Sequence, residues 1–233
     1  MENIVENIME SIIKNTNTEQ CVAQRLNKVG IIPVVTLYQP EADALPLCEA
    51  LRRGGIDTVE ITFRSEGAEK AISSIKKSFS DMIVGAGTVL NEKQAKLAED
   101  AGVDFVVTPG FDEKTVEYCR KKKIPVFPGC ITPTEYQMAM SYGLEVVKFF
   151  PAEQSGGVAM IKALSGPFPT LKVIPTGGVS LDNIESYISC PNVLACGGSY
   201  MVAQKLIESK QWDKVEEISR WSVEKIKEAR RNA

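Results

Sequence analysis

The chain has 233 residues, 44% of them hydrophobic and 24% charged, with a formal net charge of −3 and no histidine. That balance belongs to a globular protein able to bury a large core, and it argues against a nucleic-acid partner, which calls for a basic face. Without histidine there is no Ser-His-Asp or Cys-His nucleophile and no His-ligated metal, so proton transfer falls to a carboxylate, Lys, Tyr or Cys.

At the N-terminus, Ile4, Val5, Ile8, Met9, Ile12 and Ile13 recur at helical spacing through residues 1–15, with Glu2, Glu6 and Glu10 among them. The interspersed acids are unlike a secretory leader. A second helix is expected over Glu19–Lys28, and the pair is read as closing the bottom of the fold. From there apolar runs alternate with amphipathic stretches about every 20–27 residues, the rhythm of βα units. The expected strands are Ile31–Leu37, Thr58–Phe63, Met82–Gly85, Phe105–Thr108, Ile124–Phe127, Val146–Phe150, Val173–Pro175 and Val193–Cys196. Helices are expected over Asn91–Ala101, Asp112–Lys122, Thr134–Tyr142, Gly157–Leu164 and Leu181–Ile188, with Asn91, Asp112 and Ser180 as starts. Residues 204–233 read as a charged C-terminal helix in which Trp212 and Trp221 are packing anchors.

Eight strands alternating with helices imply an α/β fold, a (β/α)8 TIM barrel. The alternative is a doubly wound sheet, whose GxGxxG turn after the first strand is missing. No linker interrupts the pattern, so one domain over 1–233 is expected: helices in 1–29, barrel core in 30–203, C-terminal helix in 204–233. No apolar run reaches the ~20 residues of a membrane span. No dense Asp/Glu cluster suggests a carboxylate-bound metal, and the six cysteines, without a CxxC pair, read as reduced thiols of a cytoplasmic protein.

Two strands carry charge where apolar side chains are expected. In Val59-Glu60-Ile61-Thr62-Phe63-Arg64, the polar residues share one parity, and the outer parity must pack under helices. Glu60, Thr62 and Arg64 therefore point into the barrel, as a structural ion-pair network or as working groups. In the sixth strand Lys148 shares a parity with Val146 and Phe150. A strand lysine can snorkel to the surface, but an inward one meets the glutamate and the arginine at the barrel mouth. Burial favours the neutral amine, a nucleophile towards ketones, while a carboxylate can move protons and an arginine can grip a substrate carboxylate. Together they suit an α-keto acid that forms an imine. At the ends of the seventh and eighth strands, Thr176-Gly177-Gly178 and Gly197-Gly198-Ser199 offer backbone N–H groups where this barrel recurrently binds phosphate, although simple turn chemistry also uses Gly-Gly.

From about Lys28 to Ala203 the chain resembles the 2-keto-3-deoxy-6-phosphogluconate (KDPG) aldolases, a family that includes the 4-hydroxy-2-oxoglutarate (KHG) aldolases. The resemblance rests on Gly30-Ile31-Ile32-Pro33-Val34-Val35, Val59-Glu60-Ile61-Thr62-Phe63-Arg64, Val84-Gly85-Ala86-Gly87-Thr88-Val89-Leu90 and Thr108-Pro109-Gly110. It continues through Val147-Lys148-Phe149-Phe150-Pro151-Ala152-Glu153, Pro175-Thr176-Gly177-Gly178-Val179 and Gly197-Gly198-Ser199. It implies that Lys148 is the Schiff-base lysine, Glu60 the acid–base residue and Arg64, with Thr88, the group at the pyruvate carboxylate. Pro109 would line the site, Phe150 pack beside the imine, and Gly177, Gly178, Gly198 and Ser199 bind phosphate. It further implies cleavage of KDPG to pyruvate and glyceraldehyde 3-phosphate without metal or other cofactor, by a homotrimer. One departure is Ser65, where a threonine is more usual, which keeps the hydroxyl. KHG and stereoisomeric phosphorylated keto-deoxy sugar acids stand as alternative substrates.

Overall fold

The structure is a computed structural model that describes residues 20–232. The helix expected over residues 1–15 lies outside the described residues. Residues 20–29 are helical (α1), close to the second expected helix. The chain then alternates β1 (Ile31–Val35), α2 (Pro40–Arg53), β2 (Thr58–Thr62), α3 (Ala68–Ser78), β3 (Ile83–Gly87), α4 (Glu92–Asp100), β4 (Phe105–Val107) and α5 (Glu113–Lys121). It continues through β5 (Val126–Phe127), α6 (Pro133–Ser141), β6 (Val146–Phe149), α7 (Gly157–Ser165), β7 (Lys172–Pro175), α8 (Ile184–Ile188) and β8 (Cys196–Gly198). Two helices follow, α9 (Gln204–Glu208) and α10 (Trp212–Arg231).

All strand pairs are parallel, in the order β5-β4-β3-β2-β1-β8, with β6 and β7 as a separate pair. Isolated bridges, Gly129 to Lys148 at the first seam and Val173 to Val193 and Thr176 to Gly197 at the second, close the ring. Pro128, which follows the two-residue β5 and accepts from Lys148 N–H, offers no N–H of its own to β6, which thins the ladder at the first seam. The result is the (β/α)8 barrel that the sequence periodicity implies.

Alternation sorts the strand side chains into two layers. Val59, Ile61, Val84, Ala86, Val106, Val126, Val147 and Phe149 face outward into the larger apolar cluster shared with the helices. Ile32, Ile83, Phe105, Phe127, Val146 and Ile174 face inward near the strand N-termini. Phe105 and Phe127 meet there with centroids 5.6 Å apart, and the Phe105 ring fills the space a side chain on Gly85 would take, 2.2 Å from the position of its Cβ. Val22 and Leu26 of α1 belong to the same cluster, so α1 plugs the bottom of the barrel.

Helix starts follow local chemistry. The side chains of Asn91 and Asp112 accept from the N–H groups of Gln94 and Thr115, and Thr132 with Glu135 forms a capping box that starts α6 at Pro133, one residue before the expected Thr134. Ser180 opens a turn rather than α8 itself: Ser180 N–H donates to Asn183 Oδ1 at 2.8 Å and the helix begins at Ile184. The strand expected at Val193–Cys196 pairs with β1 only from Cys196 onward, because Val193 and Leu194 are still bonded to β7. β3 likewise runs on to Gly87 rather than ending at Gly85. The single C-terminal helix is two, broken at Lys210, whose φ of 52° is left-handed. Trp212 packs against the outer cluster as expected. Trp221 does not: it is 42% exposed, with Lys214 Nζ 5.4 Å from its ring centroid.

Leu26 is fully buried in the apolar cluster at the barrel bottom. Leu26→Ala is expected to lower the unfolding free energy by about 2–5 kcal/mol in urea denaturation. A change within error would show that α1 is not part of the core.

Candidate active site

The inward parity of β2 and β6 carries the two buried charges. Glu60 and Lys148 are each only 2% exposed, in positions where a barrel interior normally holds branched apolar side chains. Lys148 Nζ lies 4.8 Å from the centroid of Phe150, the half-buried next inward residue of its strand. Glu60 extends across the inward face of β3, its Oε1 where a side chain on Gly87 would begin, 1.9 Å from the position of the Cβ. Gly87 is therefore required for the Glu60 rotamer, and no other residue type fits.

Glu60 Oε1 is buried without a hydrogen-bond partner from the protein, a costly arrangement for a carboxyl. Burial pushes the Glu60 carboxyl above its ordinary range, against the pull of the Lys148 and Arg64 charges. Burial also holds the Lys148 amine below its ordinary value; the Glu60 charge opposes this and Arg64 adds to it. Each direction favours the neutral form, so burial makes the amine easier to deprotonate and the carboxyl readier to hold a proton.

Arg64 stands exposed at the rim, and its Nε donates to Thr88 Oγ1 at 3.1 Å. Thr88 has φ 55°, unusual for a β-branched residue, so the turn after β3 is strained to aim its hydroxyl at the arginine. Ser65 ties the same rim to the end of β1 through its Oγ, which donates to Leu37 O at 2.7 Å. Across the mouth, Thr108 Oγ1 donates to Gly110 O at 2.6 Å, bracing the half-buried Pro109. The Pro109 carbonyl occupies the space beside Gly129, 2.1 Å from where a Cβ would lie.

The loop after β7 has a fixed polarity. Ala152 N–H donates to Thr176 O at 2.8 Å and Glu153 N–H to Gly177 O at 3.1 Å. In a planar trans peptide the following N–H points opposite its carbonyl, so the N–H groups of Gly177 and Gly178 both turn away from the β6 loop. Both glycines are left-handed, at φ 98° and 81°. Consecutive N–H groups turned the same way make a concavity for an anion. Beside it, Ser199 is exposed.

The structure thus brings Lys148, Glu60, Arg64, Thr88, Phe150 and Pro109 around one mouth. Gly197 and Gly198 depart from the expectation of a loop: both are buried strand residues, because Thr176 Oγ1 occupies the inward space at Gly197, 2.3 Å from its Cβ position. Sequence reasoning passed over Thr36, whose Oγ1 lies 2.7 Å from that of the inward Thr62. Gly87 and Gly129 stood out only as strand-end turn glycines, and their inward packing role was missed. The same parity count that singled out Glu60 would have placed all three on the inner face. Among the described residues no group of three or more Cys, Asp and Glu side chains is placed to hold a metal ion.

Residues 22–218 match the family model described as "Aldolase: KDPG and KHG aldolase". The chain is 44% identical to a 2-dehydro-3-deoxy-phosphogluconate aldolase of Haemophilus influenzae, over 90% of this chain and 99% of that one. It is 39% identical to a KHG/KDPG aldolase of Escherichia coli, covering 84% and 92%. Among solved structures, a KDPG aldolase from Legionella pneumophila with pyruvate captured as a covalent carbinolamine superposes with a TM-score of 0.81 at 37% identity, covering 84% and 95%. The KDPG aldolase of Zymomonas mobilis with 3-phosphoglycerate gives 0.79 at 31% identity, covering 87% and 93%. By these matches, and with a lysine and a carboxyl buried at one barrel mouth, the chain belongs to the KDPG and KHG aldolase family.

Proposed function

We propose that this protein is a class I aldolase that cleaves KDPG to pyruvate and glyceraldehyde 3-phosphate through an imine on Lys148. The observation that carries the reading is the buried amine of Lys148 beside the buried, unpartnered carboxyl of Glu60. The neutral amine adds to the C2 ketone, and the carbinolamine loses water to give a protonated imine. Glu60 takes the proton from the C4 hydroxyl as the C3–C4 bond breaks, and the bonding pair flows into the imine. Glyceraldehyde 3-phosphate departs, the enamine is protonated at C3, and water releases pyruvate from Lys148. Arg64, steered by Thr88, grips the keto-acid carboxylate, and Phe150 and Pro109 wall the imine off. The N–H groups of Gly177 and Gly178, with Ser199 and the end of β8 at Gly198, receive the phosphate.

The captured carbinolamine of the Legionella relative and the 3-phosphoglycerate bound to the Zymomonas relative support the two ends of this assignment. The dual name of the Escherichia coli relative favours cleavage of 4-hydroxy-2-oxoglutarate as a second activity, in which a distal carboxylate takes the phosphate's place. We further propose one domain over 1–233 that works as a cytoplasmic homotrimer, in line with the family resemblance. Among the described residues no helix is long and apolar enough to cross a membrane.

Pyruvate with sodium borohydride should give a stable adduct that peptide mapping places on Lys148, and Lys148→Ala should have neither adduct nor turnover. An adduct on another lysine, or turnover in the variant, removes the assignment. Glu60→Gln should lower kcat by about 10²–10⁴-fold. Because the Glu60 charge holds the Lys148 pKa up, removing it lets that pKa fall further, so the acid limb of trapping should move to lower pH. An acid limb that stays in place means the two groups are not coupled. Arg64→Lys loses the bidentate grip and should raise KM for the keto acid about 10–100-fold. An unchanged KM would dismiss Arg64 as the carboxylate anchor.

A further inference from the structure

Glu153 has no place in the chemistry above, yet three parts of the barrel rim converge on it. It follows β6 directly, in the short turn before α7. Its N–H holds the Gly177 carbonyl, and its stem packs against Gly178, with Cγ and Cβ 2.4 and 2.6 Å from where a Gly178 Cβ would lie. Its Oε1 accepts a hydrogen bond from the hydroxyl of Tyr187 in α8, a side chain that is fully buried. Gly157 leaves room for this meeting: a Cβ there would lie 3.1 Å from the Tyr187 hydroxyl and 3.3 Å from Glu153 Oε1.

A carboxylate beside a loop that receives a dianion is unfavourable unless it is restrained, since like charges repel. The Tyr187 hydrogen bond supplies the restraint. It turns the carboxyl towards α8 and leaves the methylene stem to support the loop. On the opposite side Asn183 Nδ2 donates to Gly178 O at 3.0 Å and anchors the far end of the loop, while Thr176 O, held by Ala152 N–H, and Gly177 O, held by Glu153 N–H, turn the Gly177 and Gly178 N–H groups outward. We propose that Glu153, braced by Tyr187, is a positioning residue that orients the Gly177–Gly178 N–H groups for a phosphate and thereby sets selectivity for phosphorylated substrates. The proposal rests on the aldolase reading above. It assigns Glu153 no contact with substrate.

The test compares Tyr187→Phe, Glu153→Ala and Glu153→Gln. KM and kcat are measured with KDPG, and exchange of the pyruvate C3 protons with D2O is measured with pyruvate alone. That exchange needs the imine but no phosphate. Tyr187→Phe frees the carboxylate, and Glu153→Ala removes the support. Each should raise KM for KDPG about 3–10-fold, the partial weakening of a charge-assisted hydrogen bond to the phosphate, with kcat and pyruvate exchange within about twofold of wild type. Glu153→Gln keeps the stem and an acceptor for Tyr187, so its KM should stay near wild type. Unchanged KM in the first two variants overturns the positioning role while leaving the aldolase reading intact. So does an equal fall in pyruvate exchange and KDPG turnover, which would mean general disorder of the barrel mouth. Absence of pyruvate exchange in the wild-type protein would instead overturn the aldolase reading, and this proposal with it.

Discussion

An ammonium and a carboxyl held inside an apolar barrel are the constraint on which the rest of the structure depends. Neither group is stable there fully charged and unpaired, and burial biases each towards neutrality. That bias is a stability cost in an idle protein and an advantage in one that must present a free amine to a ketone. The interior is built around it. Ile32, Ile83, Phe105, Phe127, Val146 and Ile174 fill the lower half with α1 beneath them, which leaves the upper half to polar groups. The depth of the apolar floor sets how far Lys148 and Glu60 sit from open water.

Glycine provides the space that these groups occupy. At Gly87 the missing side chain is replaced by the Glu60 carboxyl, at Gly129 by the Pro109 carbonyl, and at Gly197 by the Thr176 hydroxyl. These inward positions form a layer in which neighbouring strands lend volume to one another. A methyl group at any of them would displace a polar atom of the mouth rather than a flexible apolar chain. The glycines near the site thus act through packing more than through backbone freedom, Gly177 and Gly178 being the exceptions.

Much of this was legible in the sequence because strand parity is a strong signal. Two-residue alternation placed Glu60, Thr62 and Arg64 on the inner face and left Lys148 to join them only if its parity was the inward one, and the βα rhythm implied the barrel. What failed has physical causes. Gly197 and Gly198 have poor strand propensity, and the ladder with β1 that holds them is a tertiary contact. Trp221 sits on the solvent side of α10, where spacing alone could not show which stripe faces α2 and α8. The meeting of Glu153 with Tyr187 joins residues 34 positions apart and follows no local periodicity.

The ring is not uniform in its bonding. Six strands form one continuous ladder and β6 with β7 form another, joined by one isolated bridge at the β5–β6 seam and two at the β7–β8 seam. Lys148 and the Gly177–Gly178 loop belong to the two-stranded segment, whereas Glu60, Arg64 and Thr88 belong to the six-stranded one. A molecule held at one end by Arg64, in the middle by Lys148 and at the other end by the β7 loop crosses a seam and fastens the two ladders together. On the proposed binding mode, the reactant thus spans the weaker joints of the barrel wall, and the molecule that is cleaved is also one that ties the two ladders together.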